Sequence, residues 1–204
     1  MKALLVVLFV LSVLIPVFGH TVTIPDEAAQ YKRLLIRSAQ SELGLEAPTA
    51  TLAAQIHQES LWKSDAVSWV GAQGLAQFMP ATAKWMPEVD SDVWAPEPFN
   101  PAWSLLAQSA YMKWLLRRVR APSDCDKWAK ALSSYNGGLG WLRKDEKLAA
   151  KRGFDKYLWW DNVEVVNAGR SKSAWNENRH YPQRILMRWE SAYEKDGWGE
   201  GVCE

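Results

Sequence analysis

Thr51-Leu-Ala-Ala-Gln-Ile-His-Gln-Glu-Ser-Leu-Trp62 carries a helical apolar stripe with one member out of character. Leu52, Ile56 and Glu59 stand at i, i+4 and i+7, so they share one face of an α-helix. Pro48-Thr49 just upstream supplies the helix start. Glu59 therefore points where a leucine is expected. A carboxylate on such a face loses hydration, and desolvation favours its neutral form. A carboxyl group that keeps its proton near neutrality can serve as a general acid. On spacing alone two plainer readings stand beside this one: a helix-end glutamate that reaches solvent, and a structural carboxylate that holds backbone amides.

Outward from this stretch the pattern is helix after helix. Residues 26–43 form a first candidate, with Tyr31, Leu34, Leu35 and Ser38 on one face and Gly44 as a stop. A short helical stretch is expected over 74–78 and another after Pro80, followed by an irregular connection over 87–101 that holds four prolines. The strongest amphipathic pattern is 102–118, where Trp103, Leu106, Ala107, Ala110, Tyr111, Trp114 and Leu115 recur at helical spacing. Further helices are expected over 124–135, over 144–152 as an exposed element, and over 182–194 with Pro182 in the first turn. No alternation of period two persists, and no internal repeat is visible. The fold class is mainly α, with a single domain over 26–204.

Composition narrows the function. The 204 residues hold 24 Lys+Arg against 23 Asp+Glu, so the basic excess of a general nucleic-acid binder is missing. A 48% hydrophobic content excludes a disordered chain. Thirteen tryptophans against 5 Phe and 6 Tyr are more than a core of this size needs. Trp103 and Trp114 fall on apolar stripes; Trp62, Trp69, Trp159 and Trp160 are candidates to line a cleft, because indole faces pack well on the apolar faces of sugars.

The N-terminal residues read separately. Met1-Lys2 precedes an uncharged run, Ala3 to Phe18, and Val17 and Gly19 fit positions −3 and −1 of a cleavage site after Gly19. Residues 1–19 are read as a signal peptide, the alternative being an uncleaved membrane anchor; both imply export to the periplasm or cell envelope. Without Lys2 the chain has 23 acidic side chains and as many basic ones. In an oxidising compartment Cys125 and Cys203 can pair and tie down the tail; two free thiols are the alternative. His20, His57 and His180 are scattered, and no HExxH or CxxC spacing occurs, so neither a metal nor another cofactor is expected.

Three segments then occur in order: Glu59-Ser60 followed by Gly71-Ala-Gln-Gly-Leu-Ala-Gln-Phe-Met-Pro-Ala-Thr-Ala83; Ala131-Leu-Ser-Ser-Tyr-Asn-Gly-Gly-Leu-Gly140; and Glu177-Asn-Arg-His-Tyr-Pro-Gln-Arg-Ile-Leu186. Together with Asn100-Pro101 they resemble the signature segments of soluble lytic transglycosylases, the SLT domain related to goose-type lysozyme. The resemblance spans about 49–189 and implies a lysozyme-like helical domain. Three departures stand out: Ala76 where the family usually has Met, which would leave one cleft wall less filled, Ser134 where it has Ala, and Pro182 where it has Val. Residues 142–176 carry no assignable chemistry.

The resemblance implies cleavage of the β-1,4 bond between N-acetylmuramic acid and N-acetylglucosamine in peptidoglycan. Most glycosidases use two carboxyl groups, but here Glu59 is the one carboxyl with a catalytic role, Asp65 being read as a solvated loop residue. Glu59 would protonate the leaving oxygen, with the N-acetyl group assisting, and then take the proton of the sugar's own 6-hydroxyl as that oxygen attacks C1 to give a 1,6-anhydro end. Ser68 and Gln77 would bind the substrate through hydrogen bonds, Met79 would pack at the cleft floor, and Tyr135 and Asn136 would face Glu59. Glu177 and Tyr181 would support the site from the last helix. Met79 and Tyr181 also read as packing residues, and Gly71 and Gly74 as turn residues. The alternatives are a hydrolytic muramidase and a non-catalytic peptidoglycan-binding component. The implied partner is the peptidoglycan glycan strand, met by a monomer, in wall turnover, beside an envelope-spanning secretion or conjugation apparatus, or in phage lysis.

Overall fold

Asn100 shows how directly the local sequence sets the elements of this protein. In the computed structural model, which describes residues 22–203, its side chain accepts from the Ala102 N–H at 3.0 Å, and Pro101 fills the first helical position. Such a cap satisfies an amide that the helix leaves open, and proline there loses no bond. The helix so started is α4 (Pro101–Leu116), preceded by α1 (Ala28–Leu43), α2 (Thr49–Ser60) and α3 (Pro80–Val89). Ser123 caps α5 (Asp124–Gly137), whose first turn carries Asp124 and Asp126 against the positive end of the helix dipole. α6 (Leu139–Lys151), α7 (Lys172–Arg184) and α8 (Glu190–Lys195) follow. The expected signal peptide, 1–19, lies outside the described residues.

The architecture is mainly α, as expected, and no helix among the described residues is long and apolar enough to cross a membrane. α2 runs through the interior, with Ala50, Leu52, Ala53, Ala54 and Ile56 fully buried. Its small side chains let α1 and α8 approach closely, while α5 packs against α4, α6 and α7 on the other side of the cleft. Cys125 and Cys203 are joined, 78 residues apart. The tail before Cys203 lies over the start of α2: the Ala50 N–H bonds to the Glu200 carbonyl at 3.1 Å, and Thr49 donates to the Trp198 carbonyl.

Four expectations need correction. Residues 74–78 are turns with antiparallel bridges, Val67 to Gln73 and Gln73 to Phe78. Gly74 at φ +74° and Gln77 at φ +49° are in the left-handed region, which a right-handed helix cannot contain. Pro182 sits near the end of α7, not in a first turn, and the chain then widens to a π-helical turn, Ile185–Trp189, before α8. α6 is amphipathic instead of exposed throughout, with Leu142, Asp145 and Ala149 buried at helical spacing. Finally, Trp62 and Trp159 are core residues: the Trp62 indole donates to the Tyr193 hydroxyl at 2.6 Å and packs beside Trp198.

Candidate active site

The last turn of α2 delivers Glu59 to a cleft of about 350 Å³ between α2, the 68–79 loop, α5 and α7. The helix stops immediately afterwards, because Leu61 and Trp62 both take positive φ and turn the Trp62 ring inward. Glu59 is half-buried, walled on most sides but open to the cleft. Its Oε1 accepts from the Tyr181 hydroxyl. Burial raises its pKa to about 8, against the opposing effect of the Tyr181 hydrogen bond and with a smaller push from the Glu177 charge.

A chain of buried amides fixes this geometry. Gln108 Nε2 donates to Gln55 Oε1 at 2.9 Å and to the Leu52 carbonyl at 3.0 Å. With its oxygen so occupied, Gln55 turns its Nε2 to the Tyr181 oxygen at 3.2 Å. The Tyr181 hydroxyl accepts there and donates to Glu59, so its one proton has a set direction. Burial also holds the Tyr181 pKa well above its ordinary value, which keeps it a donor. Gln55 and Gln108 were missed in the sequence. The available signal was two glutamines on otherwise apolar helix faces, one of them a single turn before Glu59.

The other expected residues are brought together around the same cleft, with their roles redistributed. Ser68, Gln77, Met79, Tyr135, Asn136, Glu177 and Tyr181 all line it. Gln77 Nε2 is spent on the carbonyls of Gly74 at 2.8 Å and Ala66 at 3.2 Å, which leaves its oxygen as the free group. Ser68 Oγ accepts from the Ala72 N–H at 3.0 Å and keeps its own proton to donate. Tyr135 donates to the Ala76 carbonyl at 2.8 Å, so it pins the 71–78 loop and offers the cleft its ring. Met79 is 42% exposed and lies at the rim, not the floor. Asn136 Oδ1 accepts from Asn178 Nδ2 at 3.0 Å, which turns the Asn136 NH₂ group away from that bond.

Gly74 is more than a turn residue: a Cβ there would come within 1.7 Å of the Pro98 carbonyl oxygen, so only glycine lets the loop lie on the proline-rich connection. Ala76 is fully buried, and its N–H bonds to Ser104 Oγ at 3.1 Å. Its small side chain therefore faces the core and leaves no gap in the cleft wall. Trp69 is 96% exposed at the rim, whereas Trp160 is outside the cleft. Asp65 is exposed and does not line the cleft, but Glu177 does, so the cleft holds a second carboxyl group. Gln58 and Arg184 also line the cleft without having stood out in the sequence, and Tyr111, expected only as part of an apolar stripe, lines it too.

The chain matches the Transglycosylase SLT domain family over residues 35–158. That is more than half of its length, and the chain belongs to this family. The Glu177–Leu186 segment falls beyond the matched span, although the fold brings it to the same cleft. A membrane-bound lytic murein transglycosylase F of Maricaulis maris is 33% identical over 144 residues, 70% of this chain and 29% of that protein. Its counterpart in Alteromonas mediterranea is 34% identical over 130 residues, 63% of this chain and 27% of that protein. The chain thus spans less than a third of either relative. The 70 kDa soluble lytic transglycosylase of Escherichia coli shares the fold, with a TM-score of 0.61 at 21% identity over 83% of this chain and 25% of that one. A complex of a 70 kDa soluble lytic transglycosylase with bulgecin A gives a TM-score of 0.61 at 20% identity, covering 85% of this chain and 25% of that one.

Proposed function

We propose that the protein is a peptidoglycan lytic transglycosylase that cleaves between N-acetylmuramic acid and N-acetylglucosamine and leaves 1,6-anhydro ends. The observation that carries this reading is Glu59, which lines the cleft, accepts a hydrogen bond from Tyr181 and has its pKa raised to about 8 by burial. Because Oε1 accepts from Tyr181, the acid proton resides on Oε2. In the first step that proton passes to the leaving glycosidic oxygen as its bond to C1 breaks. The Tyr181 hydroxyl then stabilises the Glu59 carboxylate. In the second step the carboxylate takes the proton of the 6-hydroxyl while that oxygen bonds to C1, which closes the anhydro ring and restores the acid. The nucleophile belongs to the substrate, so the second step is intramolecular and consumes no water. Ser68, Gln77 and Asn136 supply one donor, one acceptor and one amide to the sugar, and Trp69 a flat face. The names of the relatives support the same activity.

Glu177 supports a second reading. A water held between it and Glu59 would make the enzyme a muramidase, with Glu177 as base. Digestion of sacculi followed by mass spectrometry of the muropeptides separates the two. Anhydro ends with the wild type and none with Glu59→Gln are the expected result; reducing ends would establish hydrolysis, and binding without cleavage by either protein would leave a glycan-binding component. The apolar segment 1–19 and the Cys125–Cys203 bond support export to the periplasm or cell envelope.

A further inference from the structure

The chain carries a formal charge of only +1, yet part of its surface is strongly basic. Arg117-Arg-Val-Arg120 follows α4, Arg143 projects from α6, and Lys156 lies in the connection to Trp159. Folding brings Arg118, Arg120, Arg143 and Lys156 around one pocket of about 320 Å³, together with Glu146 and Tyr157. Glu146 does not balance this charge. Its carboxylate is taken at 2.9 Å by the fully buried Lys130. None of the four lining cations makes an ion pair among the described residues.

The pocket is also held in shape. Lys130 Nζ donates to the carbonyls of Arg120 at 2.9 Å and Lys156 at 2.6 Å, so one buried ammonium ties down two cation-bearing segments from beneath. Arg118 stacks on Trp114 at 3.7 Å and donates to its carbonyl at 3.0 Å. Like charges gathered in a fixed concavity repel one another unless an anion enters, and the guanidinium fork suits phosphate oxygens.

The surroundings indicate what presents that anion. Arg143, Lys147 and Lys151, all exposed, recur at i, i+4 and i+8, so the cationic strip runs on from the pocket along one face of α6. Phe154 is 38% and Tyr157 44% exposed beside it. Asp155 is the exposed acid of this stretch, and its carboxylate accepts from the Tyr157 N–H at 2.8 Å. A free phosphate would need the pocket alone. A strip of cations flanked by exposed aromatic rings fits a surface that presents many phosphates above an apolar layer. We propose that this pocket and strip dock the protein onto an anionic phospholipid surface, with a headgroup phosphate seated among Arg118, Arg120, Arg143 and Lys156.

The test is co-sedimentation of the full chain with vesicles of phosphatidylcholine alone and of phosphatidylcholine mixed with phosphatidylglycerol. The apolar N-terminal segment can contribute to both, so the difference between the two vesicles is the readout. We expect tighter binding to the mixed vesicles, weakened by salt. Replacing two cations, as Arg120→Ala with Arg143→Ala, should reduce that preference by roughly thirty-fold, whereas Phe154→Ala should weaken binding to both kinds of vesicle. Lys130 holds a backbone carbonyl at Arg120, so the double variant keeps its fold, which circular dichroism checks. Equal preference in wild type and double variant would overturn the proposal. So would inorganic phosphate, titrated calorimetrically, binding the pocket while the vesicle preference is absent.

Discussion

At Glu59 function and stability pull in opposite directions. The fold raises its pKa to about 8, mainly by burial, whereas in the unfolded chain the group titrates in the ordinary carboxyl range. The native state thus holds a proton that the unfolded state releases. Stability from this group is complete below the unfolded pKa and is lost as pH rises towards 8. Glu59→Gln keeps the shape and an acceptor for Tyr181 but cannot ionise. We expect it to abolish cleavage and to raise stability on the order of 2–3 kcal/mol at pH 7, a gain that vanishes below about pH 4. Urea titrations of both proteins across pH check this; a gain independent of pH would mean that Glu59 titrates normally. Cleavage by the wild type should persist through neutrality and fall only as pH passes about 8. In Tyr181→Phe the bond that opposes burial is gone, so that falling limb should move to still higher pH as the rate drops. An unmoved limb would remove Tyr181 from the tuning of the acid.

Among the elements, the connection between α6 and α7 shows most clearly what the sequence withheld. The helices over 26–43, 102–118 and 124–135 were legible from apolar periodicity, with a glycine stop after the first and the last; the amphipathic stripe expected for the second was not found, since α4 also buries Ser104, Leu105, Gln108, Ser109 and Met112. Glu59 was legible because it interrupts a stripe. Beyond the helix expected over 144–152, the residues up to 176 gave no such signal, since what orders them is charge pairing between residues distant in sequence. Asp145 on α6 is fully buried and meets Arg179 of α7 at 2.8 Å and Arg170 at 3.1 Å. Its other oxygen accepts from the Ala168 N–H at 2.9 Å. Arg170 and Arg179 both donate to Asn178 Oδ1, at 2.6 and 2.7 Å, and Asn178 in turn orients Asn136 at the cleft. Charge patterning along the chain cannot reveal which acid meets which arginine, and the Gln108–Gln55 link was hidden for the same reason. Asp145→Ala leaves two buried guanidinium groups without a counter-charge. We expect a loss of about 3–5 kcal/mol in chemical denaturation, with reduced cleavage following from a displaced Asn136. A loss below 1 kcal/mol would show that the arginines reach water instead.

Across the whole molecule, the two ends of α2 have different duties. Its C-terminal end presents Glu59, while its N-terminal end is covered by the tail that Cys203 fastens to α5. The cover is polar as well as covalent: Thr51 donates to the buried Glu190 carboxylate, which also accepts from the Cys203 N–H at 3.0 Å. Closing a loop with a sequence separation of 78 residues stabilises by about 4 kcal/mol on the chain-entropy model. At roughly 2–4 °C per kcal/mol for a chain of this size, reduction should lower Tm by about 10 °C. The loss should not be felt equally along α2. The Gln108–Gln55–Tyr181 chain that positions Glu59 involves none of the tail residues, so cleavage at 25 °C should survive reduction. Hydrogen exchange should quicken at Ala50, whose amide bonds to Glu200, while amides nearer the end of the helix stay protected. Calorimetry and exchange on the oxidised protein, the reduced protein and a Cys125→Ser, Cys203→Ser double variant make the comparison. If activity disappears with the bond while the protein is still folded, the tail and the cleft are coupled through α2, and the division of labour along that helix is wrong.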